Sequence, residues 1–389
     1  MKTGRLGLRS TIGLAVFALV GTHAAWAQTD AIPSQTLTAP ADQYLEAVEL
    51  GRRLARTIIA EDSLPGISIA VGLDGEIVWA EGFGWADKAD SVPITPLTRF
   101  PTGSSVKPVT ATAVGILVDQ GRLDLDAPVQ QYLPSYPQKR WPVTTRDLLG
   151  HIAGVRHYAG EHEVFTGEHC EDVGDGLARF AADTLLFRPR TQYQYSTFGY
   201  VLIGAVVQAA AGEPYLTFVQ REILTPLGMD HTSPDEPVAG RATGYQPSTN
   251  RSTRLGIEPA PTRDQSCILP AGGFISTPSD LVRFGLSMLD NRLLEPATLG
   301  MLRTEQTLES GEPTEYGLGW FVHRVPFQQG GPPTLVVGHG GSSVGGSTAF
   351  MTLPEHGIVV SATSNVQTAR RLSLLVRRVV VAFIGVDGN

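Results

Sequence analysis

Strand patterns occur near both ends of this chain, and helical patterns fill the middle. Residues 67–73 and 76–82 alternate in polarity about an Asp74-Gly75 turn, which is typical of a β-hairpin. Three more strand patterns lie near the C-terminus, at 335–338, 347–353 and 357–362. Strands from both ends can share one sheet if the residues between them, mostly helices and loops over about 104–289, form an insertion. The pattern therefore predicts an α/β (α+β) fold, with an antiparallel sheet from both termini flanked by helices and a mainly helical insertion.

Helical spacing supports this division. Apolar residues recur with helical periodicity in five segments, which are about 42–59, 104–120, 198–211, 278–289 and 369–384. Gly121 and Gly212 follow two of these segments and are typical helix stops. The sequence contains no repeat and no low-complexity stretch. Residues 42–389 are therefore predicted to form one domain, preceded by a polar tether at 28–41.

The first 27 residues are typical of a secretory signal peptide. Positive charges come first, on Lys2, Arg5 and Arg9. An uncharged apolar run at 10–21 and the small-x-small triplet Ala25-Trp26-Ala27 follow, as in a cleavable leader. The run is short for a bilayer span, so we expect cleavage and no stable membrane span. A secreted or periplasmic location is the expectation.

Composition and charge exclude several classes of protein. The chain has 389 residues, 42% of them hydrophobic, which is enough to bury a large core. Its formal net charge of −8, without a basic block, argues against a nucleic-acid partner. Two cysteines are too few for a multi-cysteine zinc or iron–sulfur site. Cys170 and Cys267 are able to pair in an oxidising compartment, and the sequence leaves that pairing open.

The candidate chemistry begins at Ser104-Ser105-Val106-Lys107. An S-x-x-K spacing at a helix start places the serine and the lysine on one face, one turn apart and within hydrogen-bonding range. The chain has only four lysines, and a lysine whose pKa is lowered by burial or by a neighbouring cation is able to act as a base. The spacing alone is common, and a helix cap followed by a surface lysine is the plainer interpretation.

Longer stretches around this motif favour the catalytic interpretation. The segment TRFPTGSSVKPVTATAVGILVDQGRLDLDAPV resembles the serine β-lactamase and penicillin-binding-protein superfamily, as do RPRTQYQYSTFGYVLIGAVVQAAAG and HGGSSVGGSTAFMTLPEHGIVV further on. Class C β-lactamases, D-alanyl-D-alanine carboxypeptidases and related hydrolases are the most similar branches. The similarity runs over about residues 60–365. It implies the β-lactamase/transpeptidase-like fold and a serine hydrolase that uses no cofactor and no metal.

The resemblance implies roles for individual residues. Ser104 would be the acylated nucleophile and Lys107 its activating base. The family's Tyr-x-Asn motif falls on Tyr195-Ser196-Thr197, so Tyr195 would move protons, either as a phenolate or as a neutral relay. Thr197 departs from the motif, because a threonine offers one hydroxyl where an asparagine offers both a donor and an acceptor. That departure weakens the case for strong β-lactamase activity. Together with Arg190, where relatives usually have glycine, it leaves room for a cleft with vestigial catalysis.

The third family motif, Lys-Thr-Gly in β-lactamases, falls on His339-Gly340-Gly341. By resemblance it lies on an edge strand that faces the nucleophile, where glycines let the substrate backbone approach closely. His339 would bind a substrate carboxylate or assist proton transfer, or else have a structural role. The backbone N–H groups of Ser104 and of the next residue, Ser342, would form the oxyanion hole. Thr197, Gly340 and Gly341 would contact the substrate.

Two competing interpretations come from other motifs. Residues 341–345 fit the G-x-S-x-G elbow of α/β-hydrolases, with Ser343 as nucleophile, but that elbow needs a helix next and a strand pattern follows here. His157, His162 and His169 lie near Cys170 and several glutamates, but their spacing matches no standard metal site. A solvated loop at the mouth of the active site is the expectation for that stretch.

The sequence thus predicts an exported serine hydrolase that acts through an acyl-enzyme on small amides or esters. Peptidase, carboxypeptidase, esterase and β-lactamase-like activities all fit this description. The expected partner is a small-molecule or peptide substrate. The alternative is a penicillin-binding or assembly protein of the same fold with weak or vestigial catalysis.

Overall fold

The computed structural model describes residues 32–37, 39–164, 166–248, 256–327, 331–367 and 369–385. The predicted signal peptide and the start of the predicted tether lie outside the described residues. The remaining sequence-based elements fall almost entirely within them.

The main sheet joins strands from both ends of the chain. Among the described residues it has eight strands, in the order β1 (Ser34–Thr36), β3 (Glu76–Asp87), β2 (Gly66–Leu73), β13 (Ile358–Ser364), β12 (Gly346–Leu353), β11 (Pro333–Ser343) and β10 (Phe321–Pro326), with β4 (Val92–Pro93) paired to β3. Neighbouring strands are antiparallel. The two ends of the chain meet where β13 pairs with β2, from Ile358 opposite Leu73 to Ser364 opposite Ile67. The predicted sheet from both termini is confirmed.

Two smaller sheets lie within the middle part of the chain. The first contains β5 (Phe100–Pro101), β9 (Phe274–Ser276) and β6 (Ser233–Pro234), and the second contains β7 (Tyr245–Pro247) and β8 (Ile257–Pro259). Strand β5 leads directly into the turn that carries Ser104. The first small sheet therefore anchors the segment before the candidate nucleophile.

The predicted helices are present, with ends that differ by a few residues. The described α-helices are α1 (Leu45–Asp62), α2 (Lys107–Asp119), α3 (Thr145–Leu149), α4 (Glu161–Val164), α5 (Thr197–Ala211), α6 (Tyr215–Val219), α7 (Leu269–Gly272), α8 (Pro278–Ser287), α9 (Pro296–Leu302) and α10 (Leu372–Ile384). In the described part of the chain no single helix is long and apolar enough to cross a membrane. A pair of helical segments separated by a 77° bend, Thr197–Ala211 and Tyr215–Leu224, reaches that length and composition only when counted together.

Helices cover both faces of the main sheet. Buried residues of α1 recur at helical spacing, at 48, 51, 55, 58 and 59, and form one core with α10 and one face of the sheet. The opposite face packs against α8, where Phe284 lies near Phe350 of β12, and continues into the larger core of the helical insertion. The result is the layered arrangement that the sequence pattern predicts.

Cys170 and Cys267 form a disulfide, which settles the pairing that the sequence left open. The bond joins the loop after α4 to a short 3₁₀ helix, Ser266–Ile268. That helix leads directly into α7 and β9. The disulfide therefore fixes the start of a segment in which Ala271 contacts Lys107, the neighbour of the candidate nucleophile.

Candidate active site

Ser104 lies in a 3₁₀ turn, Gly103–Val106, and Lys107 is the first residue of α2. The sequence pattern predicted an α-helix beginning at Ser104. In the structure Ser104 lies in a tighter 3₁₀ turn, and the α-helix begins at Lys107. Side chains three residues apart are nearly eclipsed in a 3₁₀ turn, so the turn aligns the serine above the lysine. The nitrogen Nζ of Lys107 lies 3.0 Å from Oγ of Ser104.

Lys107 is fully buried beneath Ser104. Its ammonium group also donates to the carbonyl oxygen of Ala271, at 2.6 Å, and lies 5.1 Å and 5.3 Å from the ring centroids of Tyr195 and Tyr200. Burial lowers the pKa of Lys107 to about 7, because a charged amine loses its hydration in the protein interior. A large fraction of Lys107 is therefore neutral at neutral pH, as a base must be.

Tyr195 precedes α5, whose first turn is capped by Ser196 accepting a hydrogen bond from the N–H of Gly199. The Tyr195 phenol is hydrogen-bonded to Ser104, and its ring packs on His151 with centroids 4.2 Å apart. Burial raises the pKa of Tyr195 well above its usual range, although the Ser104 hydrogen bond lowers it. The phenol therefore stays protonated at neutral pH, which favours the relay form over the phenolate.

His339 is buried in β11, and both of its ring nitrogens are occupied. Nδ1 lies 2.6 Å from the carbonyl oxygen of Gly340, which only accepts, so Nδ1 carries the proton. Nε2 then accepts from the hydroxyl of Tyr316, at 3.0 Å. Burial, with a smaller contribution from the charge of Lys107, lowers the pKa of His339 to about 3. A neutral ring with no free nitrogen favours the structural role among the expectations for this residue.

The strand beside Ser104 has an open edge. Strand β10 pairs with β11 only as far as Gly338, so within the described residues 339–343 have no partner strand on that side. A Cβ on Gly341 would overlap the carbonyl oxygen of Thr102, and one on Gly103 would lie 2.8 Å from the backbone nitrogen of Ser342. Because both positions are glycine, the Ser342 backbone lies beside the turn that carries Ser104.

A cleft of about 560 Å³ opens above these groups. Its lining includes all the sequence-predicted site residues except Lys107, which lies beneath Ser104: Ser104, Tyr195, Thr197, His339, Gly340, Gly341 and Ser342. The lining also includes His157 and Tyr158, from the stretch expected at the mouth of the active site, and three residues that no sequence motif indicated: Phe321, Gln367 and Arg370. Burial and the charge of Lys107 lower the pKa of His157 to about 4. Among the described lining residues, Arg370 is therefore the only full cation at neutral pH.

The competing motifs do not form sites of their own. Ser343 is buried, donates to Oε1 of Gln265 at 3.0 Å, and is followed by strand β12 instead of the helix that an elbow needs. His157 accepts from the N–H of Thr197 at 3.0 Å, whereas His169 pairs with Asp264 at 2.7 Å. The described residues contain no group of three side chains arranged to hold a metal ion.

Arg190 has a backbone φ of 68°, the left-handed region that glycine adopts most easily. Its guanidinium donates to a carboxylate oxygen of Asp147 at 2.7 Å, and the Asp147 side chain is buried. The ion pair holds a strained residue in place at the start of the segment that leads to Tyr195. Arg190 therefore has a backbone conformation typical of glycine, and its ion pair with Asp147 holds it there.

Comparison with known proteins places this architecture in a family. The family model described as Beta-lactamase matches residues 52–382. The serine beta-lactamase-like protein LACTB, mitochondrial, of Homo sapiens is 29% identical, with 84% of this chain and 78% of that protein covered. Penicillin-binding protein 4* of Bacillus subtilis (strain 168) is 26% identical, with 72% and 64% covered.

Solved structures agree with these matches. The octameric penicillin-binding protein homologue from Pyrococcus abyssi has a TM-score of 0.74 and 25% identity, over 87% of this chain and 77% of that one. D-amino acid amidase from Ochrobactrum anthropi SV3, complexed with L-phenylalanine amide, has a TM-score of 0.75 and 23% identity, over 88% of this chain and 100% of that one. The second likeness establishes the fold alone.

Proposed function

This chain belongs to the beta-lactamase family, and from that premise we propose that Ser104 forms an acyl-enzyme with small amides or esters. The family makes the chain a serine hydrolase in the broad sense. The finer proposal depends most on one observation, the 3.0 Å contact between Ser104 and a buried lysine whose pKa is lowered to about 7.

The proposed reaction begins with proton transfer from the Ser104 hydroxyl to neutral Lys107, directly or through the Tyr195 phenol. The serine oxygen attacks the substrate carbonyl carbon, and the carbonyl oxygen takes negative charge between the N–H groups of Ser104 and Ser342. Lys107 returns the proton, through Tyr195, to the departing amine or alcohol as its bond to carbon breaks. Water then attacks the acyl-enzyme by the same steps in reverse and releases the acid.

The charge of the cleft supports a preference for substrates with a carboxylate. Arg370 lines the cleft, is exposed, and forms no ion pair with any described residue. Its neighbour Arg371 is instead paired with Glu61 and Asp62. With His339 neutral and fully hydrogen-bonded, a substrate carboxylate is better matched by Arg370 than by His339.

Export is part of the proposal. The positively charged start, the apolar run and the Ala25-Trp26-Ala27 triplet support a cleaved leader. A disulfide between Cys170 and Cys267 is compatible with an oxidising compartment. The human relative is named as mitochondrial, so the destination is tested by fractionating cells that express the full chain and sequencing the N-terminus of the product. Gln28 as the first residue of an extracytoplasmic product is the expected result.

Covalent labelling tests the nucleophile. A fluorophosphonate probe, followed by mass spectrometry of the tagged peptide, should label Ser104 in the wild type and in Ser310→Ala, which removes an exposed serine outside the cleft. Ser104→Ala should lose both the label and the turnover of nitrocefin, p-nitrophenyl acetate, D-alanyl peptides and D-phenylalanine amide. Equal turnover by Ser104→Ala, or a label on Ser343, would overturn the proposal. A stable label at Ser104 without turnover of any substrate would favour the alternative of a binding protein with vestigial catalysis.

A further inference from the structure

A buried chain of hydrogen bonds reaches the end of the strand that carries the proposed oxyanion hole. Oγ of Ser343 donates to Oε1 of Gln265 at 3.0 Å, and Nε2 of Gln265 donates to a carboxylate oxygen of Asp235 at 2.5 Å. Nε of Arg241 donates to the other Asp235 oxygen at 2.7 Å. Ser343 and Gln265 are 6% and 4% exposed, so water does not substitute freely for these partners.

The direction of each bond in this chain is fixed. An ionised carboxylate only accepts, so the amide nitrogen of Gln265 must face Asp235 and the amide oxygen must face Ser343. Ser343 is therefore a donor and cannot rotate its proton elsewhere without leaving Gln265 unpaired. Asp235 also forms an ion pair with Arg241, and a hydrogen bond to a carboxylate is stronger than one to a neutral acceptor. The orientation of Ser343 thus depends on Gln265.

Ser343 directly follows Ser342, whose backbone lies against Gly103 beside the nucleophile. Residues 339–343 pair with β12 on one side and have no partner strand on the other side among the described residues, so side-chain contacts add to the restraint at that edge. The backbone of Gln265 packs closely on Gly273, since a Cβ on Gly273 would lie only 2.6 Å from the carbonyl oxygen of Gln265. Gln265, Ser343, Ser342 and Ser104 all line one small cavity of about 50 Å³ beside the nucleophile.

We propose that Gln265 is a positioning residue of the oxyanion hole, holding the N–H of Ser342 in line through its hydrogen bond with Ser343. This inference rests on the proposed acyl-enzyme function. A donor aimed at the oxyanion matters most in the transition state. Loosening it therefore lowers kcat and leaves KM nearly unchanged.

The first test is a double-mutant cycle with Gln265→Met and Ser343→Ala. Each variant should turn over p-nitrophenyl acetate with kcat about 10- to 100-fold below wild type, the range expected for a misplaced group, and with KM within about twofold. The double variant should be no slower than the slower single variant, because both changes break the same hydrogen bond between Ser343 and Gln265. Affinity for phenylboronic acid, which forms a tetrahedral adduct with serine, should fall in proportion to kcat/KM. Additive losses, or unchanged boronate affinity, would overturn the inference.

A second variant, Gln265→Glu, adds a pH signature. A protonated glutamic acid is able to donate to Asp235 and accept from Ser343, whereas a glutamate beside Asp235 has no proton to donate. The ratio of variant to wild-type kcat should therefore rise as pH falls, and this ratio cancels the titration of the shared catalytic groups. For Gln265→Met the ratio should stay flat. A flat ratio for the glutamate variant as well would contradict the proposed hydrogen-bond chain.

Thr352→Ala is the matched control for general loosening of the sheet. Thr352 is buried on β12 and donates to the carbonyl oxygen of Val337 at 2.7 Å, at the far end of the same strand pair. Its loss should lower the melting temperature and leave kcat at the wild-type value. An equal kcat loss in Thr352→Ala would overturn a specific role for Gln265.

If Ser104→Ala is inactive while Gln265→Met keeps wild-type kcat, this inference alone fails. If Ser104→Ala stays active, the proposed function fails.

Discussion

Nζ of Lys107 lies 3.0 Å from Oγ of Ser104, and its other hydrogen bond goes to an uncharged carbonyl, that of Ala271. Burial lowers the pKa of Lys107 to about 7, with no described carboxylate to offset the loss of hydration. The neutral amine is the base, so kcat/KM for p-nitrophenyl acetate should rise with pH and level off above an apparent pKa near 7. The measurement is a pH–rate profile from about pH 5 to 9.

Histidines are the usual source of such a profile, and the two that line the cleft are excluded by their environment. Burial lowers the pKa of His157 to about 4 and that of His339 to about 3, so neither titrates near pH 7. Lys107→Arg, which stays protonated, should be inactive across the whole range. A wild-type profile that is flat or falls through pH 7 would contradict the assignment of Lys107 as the base.

The same lysine should cost the protein stability. The pKa of Lys107 is about 7 in the folded protein and 10.5 for an ordinary lysine, so between these values the unfolded chain binds more protons. The destabilisation is therefore full below pH 7 and fades as pH rises toward 10.5. Lys107→Met should have a higher free energy of unfolding than wild type at pH 6, and the gain should shrink at pH 10. Urea unfolding at both pH values measures this, and a gain that grows with pH would contradict it.

The sequence predicted the strand, helix and motif positions well, because periodicity and motif spacing are local properties. It missed what depends on tertiary packing. The strand pattern at 335–338 covers only part of β11, and the family resemblance, not the pattern, places residues 339–341 on a strand. In the structure β11 continues to Ser343, where it packs against the turn at Thr102. The Ala271 acceptor for Lys107 lies 164 residues away in sequence, and no local pattern encodes it. Arg370 likewise reaches the cleft through the fold alone.

Gly340 and Gly341 offer a matched pair on the proposed oxyanion strand. A Cβ on Gly341 would overlap the carbonyl oxygen of Thr102, whereas one on Gly340 meets no atom closer than 3.7 Å. Gly341→Ala should push the strand from the nucleophile turn and lower kcat/KM by about 100-fold or more, as expected for displaced catalytic geometry. Gly340→Ala adds a methyl group to the cleft lining without this overlap, so its loss of kcat/KM should be much smaller and should appear mainly in KM. Steady-state kinetics on both variants checks this, and equal activities would contradict the close approach.

Arg370 should set a preference for anionic substrates. Arg370→Gln removes the positive charge. For esters that carry a carboxylate, such as 3-acetoxybenzoate and monophenyl glutarate, kcat/KM should fall about 10-fold, mostly because KM rises. Phenyl acetate, which is neutral, should react at the wild-type rate. Arg378→Ala removes an exposed cation of α10 outside the cleft and controls for net charge. Equal losses on neutral and anionic esters would contradict a carboxylate-binding role.

The disulfide should contribute strongly to stability. Cys170 and Cys267 are 97 residues apart, and closing a loop of that length removes about 4–5 kcal/mol of unfolded-state entropy in the chain-entropy model. Cys170→Ser with Cys267→Ser should lower the free energy of unfolding by that order, measured by urea denaturation. Dithiothreitol should destabilise the wild type by a similar amount and leave the double variant unchanged. If the reductant shifts both proteins equally, or neither, the bond is not closed in the folded protein.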